Sequence, residues 1–195
     1  MSRRPLIRIA ALVFAALCLP LAHASDKNPS KAADAKTYKQ DEVLKEADAF
    51  FGKGAKGLAD VIAKAFKEQG EPVGYIMGNE GGGAIGVGLR YGKGKVQMKS
   101  GFTRDVYWQG PSIGFDVGGN AAKTFVLIYN LDDPEKLFQR YPGVEGSLYF
   151  VGGVGVNYVR SGNVTLAPVR FGVGWRQGAA VGYMHFTKEK SYNPF

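Results

Sequence analysis

The chain has 195 residues, of which 45% are hydrophobic and 12% aromatic, which is enough apolar material for one folded domain. Its formal net charge is +8, but the 25 basic residues are scattered along the chain rather than clustered. This distribution suits a negatively charged surface and argues against a nucleic-acid partner. A single cysteine excludes an internal disulfide and a cysteine-based metal cluster.

The N-terminus has the three zones of a secretory signal peptide. Arg3, Arg4 and Arg8 form a positive segment, and Ile9–Leu21 is an almost unbroken apolar run. Ala22–Ala24 then places small residues at the −3 and −1 positions of a cleavage site. We therefore expect residues 1–24 to be removed on export to the periplasm. Their loss lowers the formal net charge from +8 to +5, because three arginines go with them.

The export route is left open by this segment. Ser2–Ile7 resembles a twin-arginine signal, which exports a folded protein, but no cofactor motif follows to require that route, so the general secretory route is favoured. The apolar run is short for an uncleaved membrane anchor. Cys18 follows Leu17 rather than a small residue, which argues against a lipoprotein.

The remaining chain divides into a leader, a helical segment and a β region. Residues 25–39 are polar and lack apolar periodicity, which predicts a disordered leader. Residues 40–70 carry apolar residues at helical spacing interrupted by glycines, which predicts two short helices or one broken helix. Residues 72–195 are predicted to be almost entirely β, with one helical turn at Asp132–Glu135.

About ten short strands, separated by Gly, Asn, Asp or Pro, are predicted in this β region. They favour a mainly β fold, a small closed or nearly closed antiparallel β-barrel with N-terminal helices. An open β-sandwich is the alternative. The predicted strands are Gly74–Gly78, Ala84–Tyr91, Lys95–Lys99, Val106–Gln109, Ile113–Gly118, Thr124–Asn130, Ser147–Val151, Gly155–Arg160, Val164–Ala167, Phe171–Arg176 and Ala180–Lys188.

Glycines alternate with bulky residues in two of these strands. In Ala84–Tyr91 the bulky residues, including Leu89 and Tyr91, share one face, while Gly86 and Gly88 take the other. Phe171–Arg176 has the same pattern. We expect the bulky face to fill the barrel and the glycine face to point outward.

Two short motifs resemble catalytic signatures but lack the required context. Gly110–Gly114 matches G-x-S-x-G, the elbow of serine hydrolases, yet a strand rather than a helix is predicted to follow Ser112. His185 is the one histidine left after signal-peptide removal, so neither a catalytic base nor a metal cluster is evident. We therefore expect a protein without enzymatic activity, metal or cofactor.

Six residues are candidates for ligand binding. Asp116 lies within a predicted strand and needs a partner such as Arg90; the pair could contact a ligand or simply fix the strand register. Tyr107 and Trp108 could line a pocket, although aromatic residues at strand ends are more often core. The last two, Lys56 and Lys64, flank the second helical stripe and could contact an anionic membrane, or could be solvated.

Six runs of the chain are distinctive as a set: they are Ala84–Gly92, Val106–Gly119, Phe50–Gly52, Tyr141–Gly146, Gly182–Tyr183 and Asn193–Phe195. These runs resemble the envelope integrity protein A (EipA) family of alphaproteobacteria. The resemblance extends from about Tyr38 to Phe195 and implies a small soluble periplasmic β-barrel that supports envelope integrity, with no agreed catalytic residues. The glycine-rich strands and Gly54–Leu58 are more distantly similar to the SYLF lipid-binding domain.

The favoured function is therefore a non-enzymatic, monomeric periplasmic protein that binds an envelope component, whether lipid, glycan or protein. The alternative is a lipid-binding protein that contacts anionic membranes through its basic N-terminal helix. An outer-membrane barrel is disfavoured because most predicted strands fall short of the roughly 9–11 residues that cross a bilayer. A hydrolase centred on Ser112 is disfavoured by its sequence context.

Overall fold

The structure is a computed structural model that describes residues 36–52, 55–116, 122–171 and 182–191. For residues 83–87 and 112–116 it describes the backbone alone. Three predicted segments lie wholly or mostly outside the described residues: the signal peptide, the leader up to residue 35 and the strand Phe171–Arg176. The structure does not test these predictions.

Two helices precede the sheet, as the apolar spacing predicts. Helix α1 spans Gln40–Phe51, and the Glu42 carboxylate accepts the Lys39 N–H at 2.8 Å in its first turn. Helix α2 spans Leu58–Gln69 and follows Gly57, whose φ of 83° few other residues adopt. A side chain at Gly57 would also overlap the carbonyl of Val151, so α2 begins directly against the sheet.

Nine strands occur in the described residues, and all of the pairings between them are antiparallel. A short 3-10 helix at Pro134–Leu137 confirms the predicted turn, with the Asp133 side chain accepting the Glu135 N–H at 2.9 Å. The strands are β1 (Gly74–Met98), β2 (Thr103–Asp116), β3 (Ala122–Tyr129), β4 (Arg140–Pro142), β5 (Tyr149–Val151), β6 (Val154–Val156), β7 (Val159–Ser161), β8 (Val164–Phe171) and β9 (Tyr183–Thr187).

The first two strands are much longer than the sequence predicts. Three predicted strands merge into β1, and two merge into β2, because the glycines between them continue the pleat instead of breaking it. The Lys99 N–H donates to the Val73 carbonyl at 2.9 Å, so the two ends of β1 meet and the strand turns back within its length. Strand β4, where the sequence suggested only the end of a helical turn, was missed.

The sheet curls into a barrel that is not fully closed. Neighbouring strands follow the order β4-β9-β2-β1-β3-β8-β6-β5, with β7 also paired to β8. Between β4 and β7 the described residues show one bridge, Gly143 to Val159, and the Val144 N–H donates to the Tyr158 carbonyl at 2.9 Å. The expected mainly β fold, an antiparallel barrel-like sheet with N-terminal helices, is thus confirmed. The described sheet is a curled half-barrel rather than a closed barrel, because the described residues join its two ends at this bridge and this hydrogen bond.

Two apolar clusters lie on opposite sides of the curled sheet. Along β3, Phe125 and Leu127 pack with α1 and α2 outside the barrel, whereas Val126 and Ile128 pack inside it. The helices cover this half of the outer surface, with Ile62 of α2 fully buried there. Both faces of β3 therefore carry bulky residues, and the strand is buried from Thr124 to Tyr129.

The expected placement of glycine on the outer face is wrong where the structure describes it. Gly92 and Gly78 sit against the buried indole of Trp108, and a Cβ on Gly78 would lie 2.6 Å from Trp108 Cη2. Leu89, expected inside, is 36% exposed. Glycine thus faces inward because the indole fills the space that a side chain would occupy.

Neither helix in the described part of the chain is long and apolar enough to cross a membrane.

A methyl group at Gly92 should destabilise the barrel, because it would overlap the Trp108 indole in the inner core. We expect Gly92→Ala to cost about 1–3 kcal/mol of unfolding free energy, the usual range for overpacking. Gly81→Ala in the same strand is the control, since a Cβ there has no neighbour within 4 Å. Equal urea midpoints for the two variants would contradict this packing.

Candidate functional site

A carboxylate is buried in the barrel and bound by an arginine from the far side of the sheet. Glu80 lies in β1, and Arg170 lies in β8; both side chains are almost completely buried. Arg170 Nε donates to Glu80 Oε1 at 2.5 Å, and Arg170 Nη2 donates to Oε2 at 3.3 Å. This two-point contact satisfies both carboxylate oxygens, which a buried charge requires.

Three further side chains complete this buried cluster. The Trp108 indole Nε1 donates to Glu80 Oε2 at 2.9 Å, and Arg90 Nη1 lies 3.6 Å from Glu80 Oε1. On the other side, Arg170 Nη1 donates to Asn157 Oδ1 at 3.0 Å. Residues from β1, β2 and β8 thus converge on one carboxylate, and Asn157, between β6 and β7, holds the arginine that binds it.

The cluster keeps Glu80 ionised. Burial by itself would raise the pKa of the Glu80 carboxyl, but the charges of Arg170 and Arg90, with the hydrogen bonds from Arg170 and Trp108, hold this pKa below its ordinary value of 4.5. Burial lowers the pKa of Arg170, and Glu80 opposes that shift. With two arginines and one carboxylate, the charged groups named here carry a net positive charge.

The sequence identified two members of this cluster and missed its centre. Arg90 and Trp108 were candidates, but Arg90 contacts Glu80 rather than Asp116. In the β1–β2 register Arg90 faces Gly110, whereas Asp116 faces Ala84, about 20 Å further along the strand. The Asp116 side chain lies outside the described side chains. Glu80 was overlooked because it stands beside glycines in a segment that reads as a turn.

A cavity opens on the outer side of strands β1, β2 and β9. Lys93, Tyr107 and Thr187 lie side by side across the three strands, and Tyr91 and Gln109 occupy the next row of the same face. Because side chains alternate, this face is opposite to the one on which Trp108 and Phe186 fill the inner core. We call this hollow the β1–β2–β9 cavity.

The cavity has a volume of about 370 Å³ and combines rings, amides, hydroxyls and ammonium groups. The Lys93 Nζ lies 5.7 Å from the centroid of the Tyr107 ring, close enough for a cation–π contact. No carboxylate is present among the described residues that line it. These residues are Asn79, Tyr91, Gly92, Lys93, Tyr107, Trp108, Gln109, Thr187, Lys190 and Ser191.

Lys56 and Lys64, the two candidate lysines of the helical segment, lie outside the cavity. Lys64 Nζ pairs with Glu68 at 2.5 Å and lies 4.9 Å from the Tyr149 ring, so its charge is used within the fold. Glu68 also accepts the Tyr158 hydroxyl at 2.5 Å, which fastens α2 to the sheet. Lys56 is exposed in the turn before α2. The structure does not bring either lysine to the cavity.

A second, larger hollow of about 770 Å³ lies near the 3-10 helix. Its lining is polar and includes Asp132, Lys136 and Arg160, and Lys136 Nζ is paired with Asp132 at 3.2 Å. No aromatic ring lines it among the described residues, so it offers less to a specific ligand than the β1–β2–β9 cavity does.

No group of three metal-ligating side chains occurs among the residues whose side chains are described. The segment Gly110–Gly114 begins inside β2, and the backbone remains in strand conformation through Ser112. A nucleophile elbow requires a strand-to-helix turn at the serine, which this backbone does not provide.

Removing the Glu80 charge should unfold the barrel more readily. In Glu80→Gln the Arg170 guanidinium stays buried without a counter-charge, which we expect to cost about 3–5 kcal/mol of unfolding free energy. The exposed Glu145→Gln is the matched control. The double variant Glu80→Gln/Arg170→Met should recover part of the loss. Urea unfolding measures all three, and a neutral Glu80→Gln would contradict the cluster's role.

The same carboxylate predicts a dependence of stability on pH. Because the folded-state pKa of Glu80 is lowered, its stabilising effect is present above the ordinary pKa of 4.5 and is lost as the pH falls through the folded-state value. Between about pH 7 and about pH 3 the wild type should therefore lose more stability than Glu80→Gln. Parallel pH profiles in thermal unfolding would overturn this expectation.

Comparison with known proteins identifies the family of this chain. The envelope integrity protein A (EipA) family matches residues 36–195. A crystal structure of a β-barrel-like, uncharacterized protein from Brucella abortus is 43% identical; the match covers 83% of this chain and all of that chain, with a TM-score of 0.76. No match is found among curated proteins. The fold, the span of the family match and this structural neighbour agree, and the chain belongs to the envelope integrity protein A family.

Proposed function

We propose that this protein is a non-enzymatic periplasmic protein that supports envelope integrity by binding an envelope component in the β1–β2–β9 cavity. The observation that carries the proposal is the composition of this cavity: ammonium groups, amides and aromatic rings are gathered in about 370 Å³ on the face of a sheet. Ligand sites in proteins typically combine such rings with a few well-placed polar groups.

The cavity rests on the buried cluster. Trp108 lies in β2 between the lining residues Tyr107 and Gln109, and its indole lies on the opposite, inner face, where the N–H donates to Glu80. Glu80 is itself held by Arg170, so the cluster anchors the strand that carries these two lining residues. A site supported in this way loses little conformational freedom on binding, which favours affinity.

Three further observations support the proposal. Family membership points to a role in the envelope. The N-terminal sequence predicts a signal peptide cleaved after Ala24, which accords with a periplasmic location. The strand conformation at Ser112 favours the non-enzymatic interpretation, because it removes the most suggestive catalytic motif.

Contact with membranes through α2 is less well supported. The apolar side of this helix, including Leu58, Val61 and Ile62, is already buried in the outer apolar cluster. A helix that lies on a bilayer must expose such a face to lipid. Lys64 is also engaged with Glu68. A lipid-binding role would therefore have to use another surface.

Removing the charge and the ring that Lys93 and Tyr107 bring to the cavity should abolish function without unfolding the protein. In cells that lack the gene, challenged with detergent, we expect the wild-type protein to restore survival and Lys93→Gln/Tyr107→Leu to fail, because this variant removes a charge and a ring from the site. Plate survival, with immunoblotting of periplasmic extracts for protein level, measures the effect.

Two controls sharpen this test. Lys95→Gln lies on the same strand as Lys93 and is exposed but does not line the cavity, so it should restore survival fully. A protein starting at Ser25 should fail because it stays in the cytoplasm. Full rescue by Lys93→Gln/Tyr107→Leu would overturn the proposed use of the cavity, and full rescue by the leaderless protein would overturn the proposed location.

A further inference from the structure

We infer that the polar hollow of about 770 Å³ beside the 3-10 helix binds a short peptide that carries a carboxylate. This hollow, which we call the Arg160 hollow, shares no described lining residue with the β1–β2–β9 cavity, so the inference goes beyond the proposed function. It follows from three properties of the described lining: an arginine with open hydrogen-bonding positions, a set of side-chain amides and the balance of charge.

The Arg160 guanidinium is anchored through one nitrogen and open at the other two. Arg160 lies in β7 opposite Thr165 of β8, and its Nε donates to Thr165 Oγ1 at 3.0 Å. Thr165 is buried, so this anchor belongs to the sheet itself. Among the described residues, Nη1 and Nη2 have neither a hydrogen bond nor an ion pair, and the side chain is exposed. Two guanidinium nitrogens side by side match the two oxygens of a carboxylate.

Three side-chain amides in the lining have hydrogen-bonding capacity to spare. Gln69 is the last residue of α2, Asn130 follows β3, and Asn163 lies in the turn between β7 and β8. Asn130 Nδ2 donates to the Asn163 carbonyl at 3.2 Å, but within the described part of the chain Asn130 Oδ1 and the Gln69 and Asn163 amides have no partner. A side-chain amide donates and accepts as a peptide group does, so these residues suit a ligand with peptide bonds.

The charges of the hollow suit a ligand with a single carboxylate. Lys136 and Arg160 are cationic and Asp132 is anionic, so the described lining carries one excess positive charge. Lys136 pairs with Asp132 at 3.2 Å, and both side chains are more than half exposed, so this pair is weak and leaves Arg160 as the stronger anion-binding group. Asp132 repels a ligand of high negative charge, such as a phosphate group, but accepts N–H groups, which a peptide supplies.

The size and construction of the hollow favour a peptide over a simple ion. Its volume of about 770 Å³ lies in the upper part of the range for small-molecule sites and exceeds what a single anion needs. Ser161 Oγ donates to Gln139 Oε1 at 3.0 Å, and Gln139 Nε2 donates to the Lys136 carbonyl at 2.7 Å, so hydrogen bonds within the fold hold its walls. Binding to a preformed hollow costs less ordering, which helps a ligand that binds through polar contacts alone.

Titration of the isotope-labelled mature protein, followed by NMR, tests the inference. One probe is acetyl-Ala-Gly-Ala with a free C-terminal carboxylate, and the other is acetyl-Ala-Asp-Ala-amide, so the probe that binds more tightly shows whether a C-terminus or an acidic side chain is recognised. The comparisons are acetyl-Ala-Asn-Ala-amide, acetate and inorganic phosphate. We expect a carboxylate peptide to bind, with affinity that falls as salt rises, and each comparison to bind at least about tenfold more weakly.

Matched variants assign the binding to the Arg160 hollow. Arg160→Gln should weaken peptide binding by about tenfold through loss of a charge-assisted contact, and Arg160→Lys should weaken it by less, because the charge stays while the paired nitrogens are lost. Gln69→Ala should cost about threefold, as one neutral hydrogen bond does. Lys95→Gln removes an exposed charge outside the hollow and should bind as the wild type does. Equal urea midpoints for all four variants exclude unfolding as the cause.

Three results would overturn the inference: neither carboxylate peptide binds, acetate or phosphate binds as tightly as the peptides, or both Arg160 variants bind as the wild type does. The second of these would leave a general anion site without selectivity for peptides. Lys93→Gln/Tyr107→Leu should bind the peptides normally, because neither residue lines the Arg160 hollow. The test of the β1–β2–β9 cavity and the test of this hollow can therefore succeed or fail independently.

Discussion

The contact between Glu80 and Arg170 is the interaction on which the rest of the structure depends. It joins β1 to β8 through the barrel interior, and each partner needs the other because an unpaired buried charge is costly. Its geometry also fixes Trp108, whose indole N–H is directed to the same carboxylate. Around this contact the strands pack tightly enough that Gly78 and Gly92 have no room for a side chain.

The inner and outer faces of the curled sheet have different roles. The inner face holds the ion pair and the inner apolar core, and half of the outer face is covered by α1 and α2. The strands β1, β2 and β9 present an outer face with Lys93 and Tyr107, where the cavity lies. The helices stabilise the fold, while the sheet opposite them carries the site. In keeping with a structural role for α2, its Lys64 pairs with Glu68 of the same helix.

The fold class was predictable because the spacing of apolar residues and the positions of turn-forming residues are local features of the sequence. The helical spacing before Pro72 predicts α1 and α2, and Asp133 with Pro134 predicts the 3-10 turn. Strand lengths were not predictable, since a glycine such as Gly94 reads equally as a turn or as a point of close approach. Gly94 is a point of close approach, because a Cβ there would lie 2.4 Å from the Met77 carbonyl oxygen. This approach arises only because β1 turns back on itself.

The sequence by itself determined the mainly β class, the two helices and the family resemblance. It also identified Arg90 and Trp108 of the buried cluster and Tyr107 of the cavity. These follow from composition, periodicity and motif, which act over a few neighbouring residues. The tertiary structure alone decided the partner of Arg90, the inward direction of Gly92 and the central place of Glu80. Those depend on which strands become neighbours, because Glu80 and Arg170 are ninety residues apart in the chain yet in direct contact in the barrel.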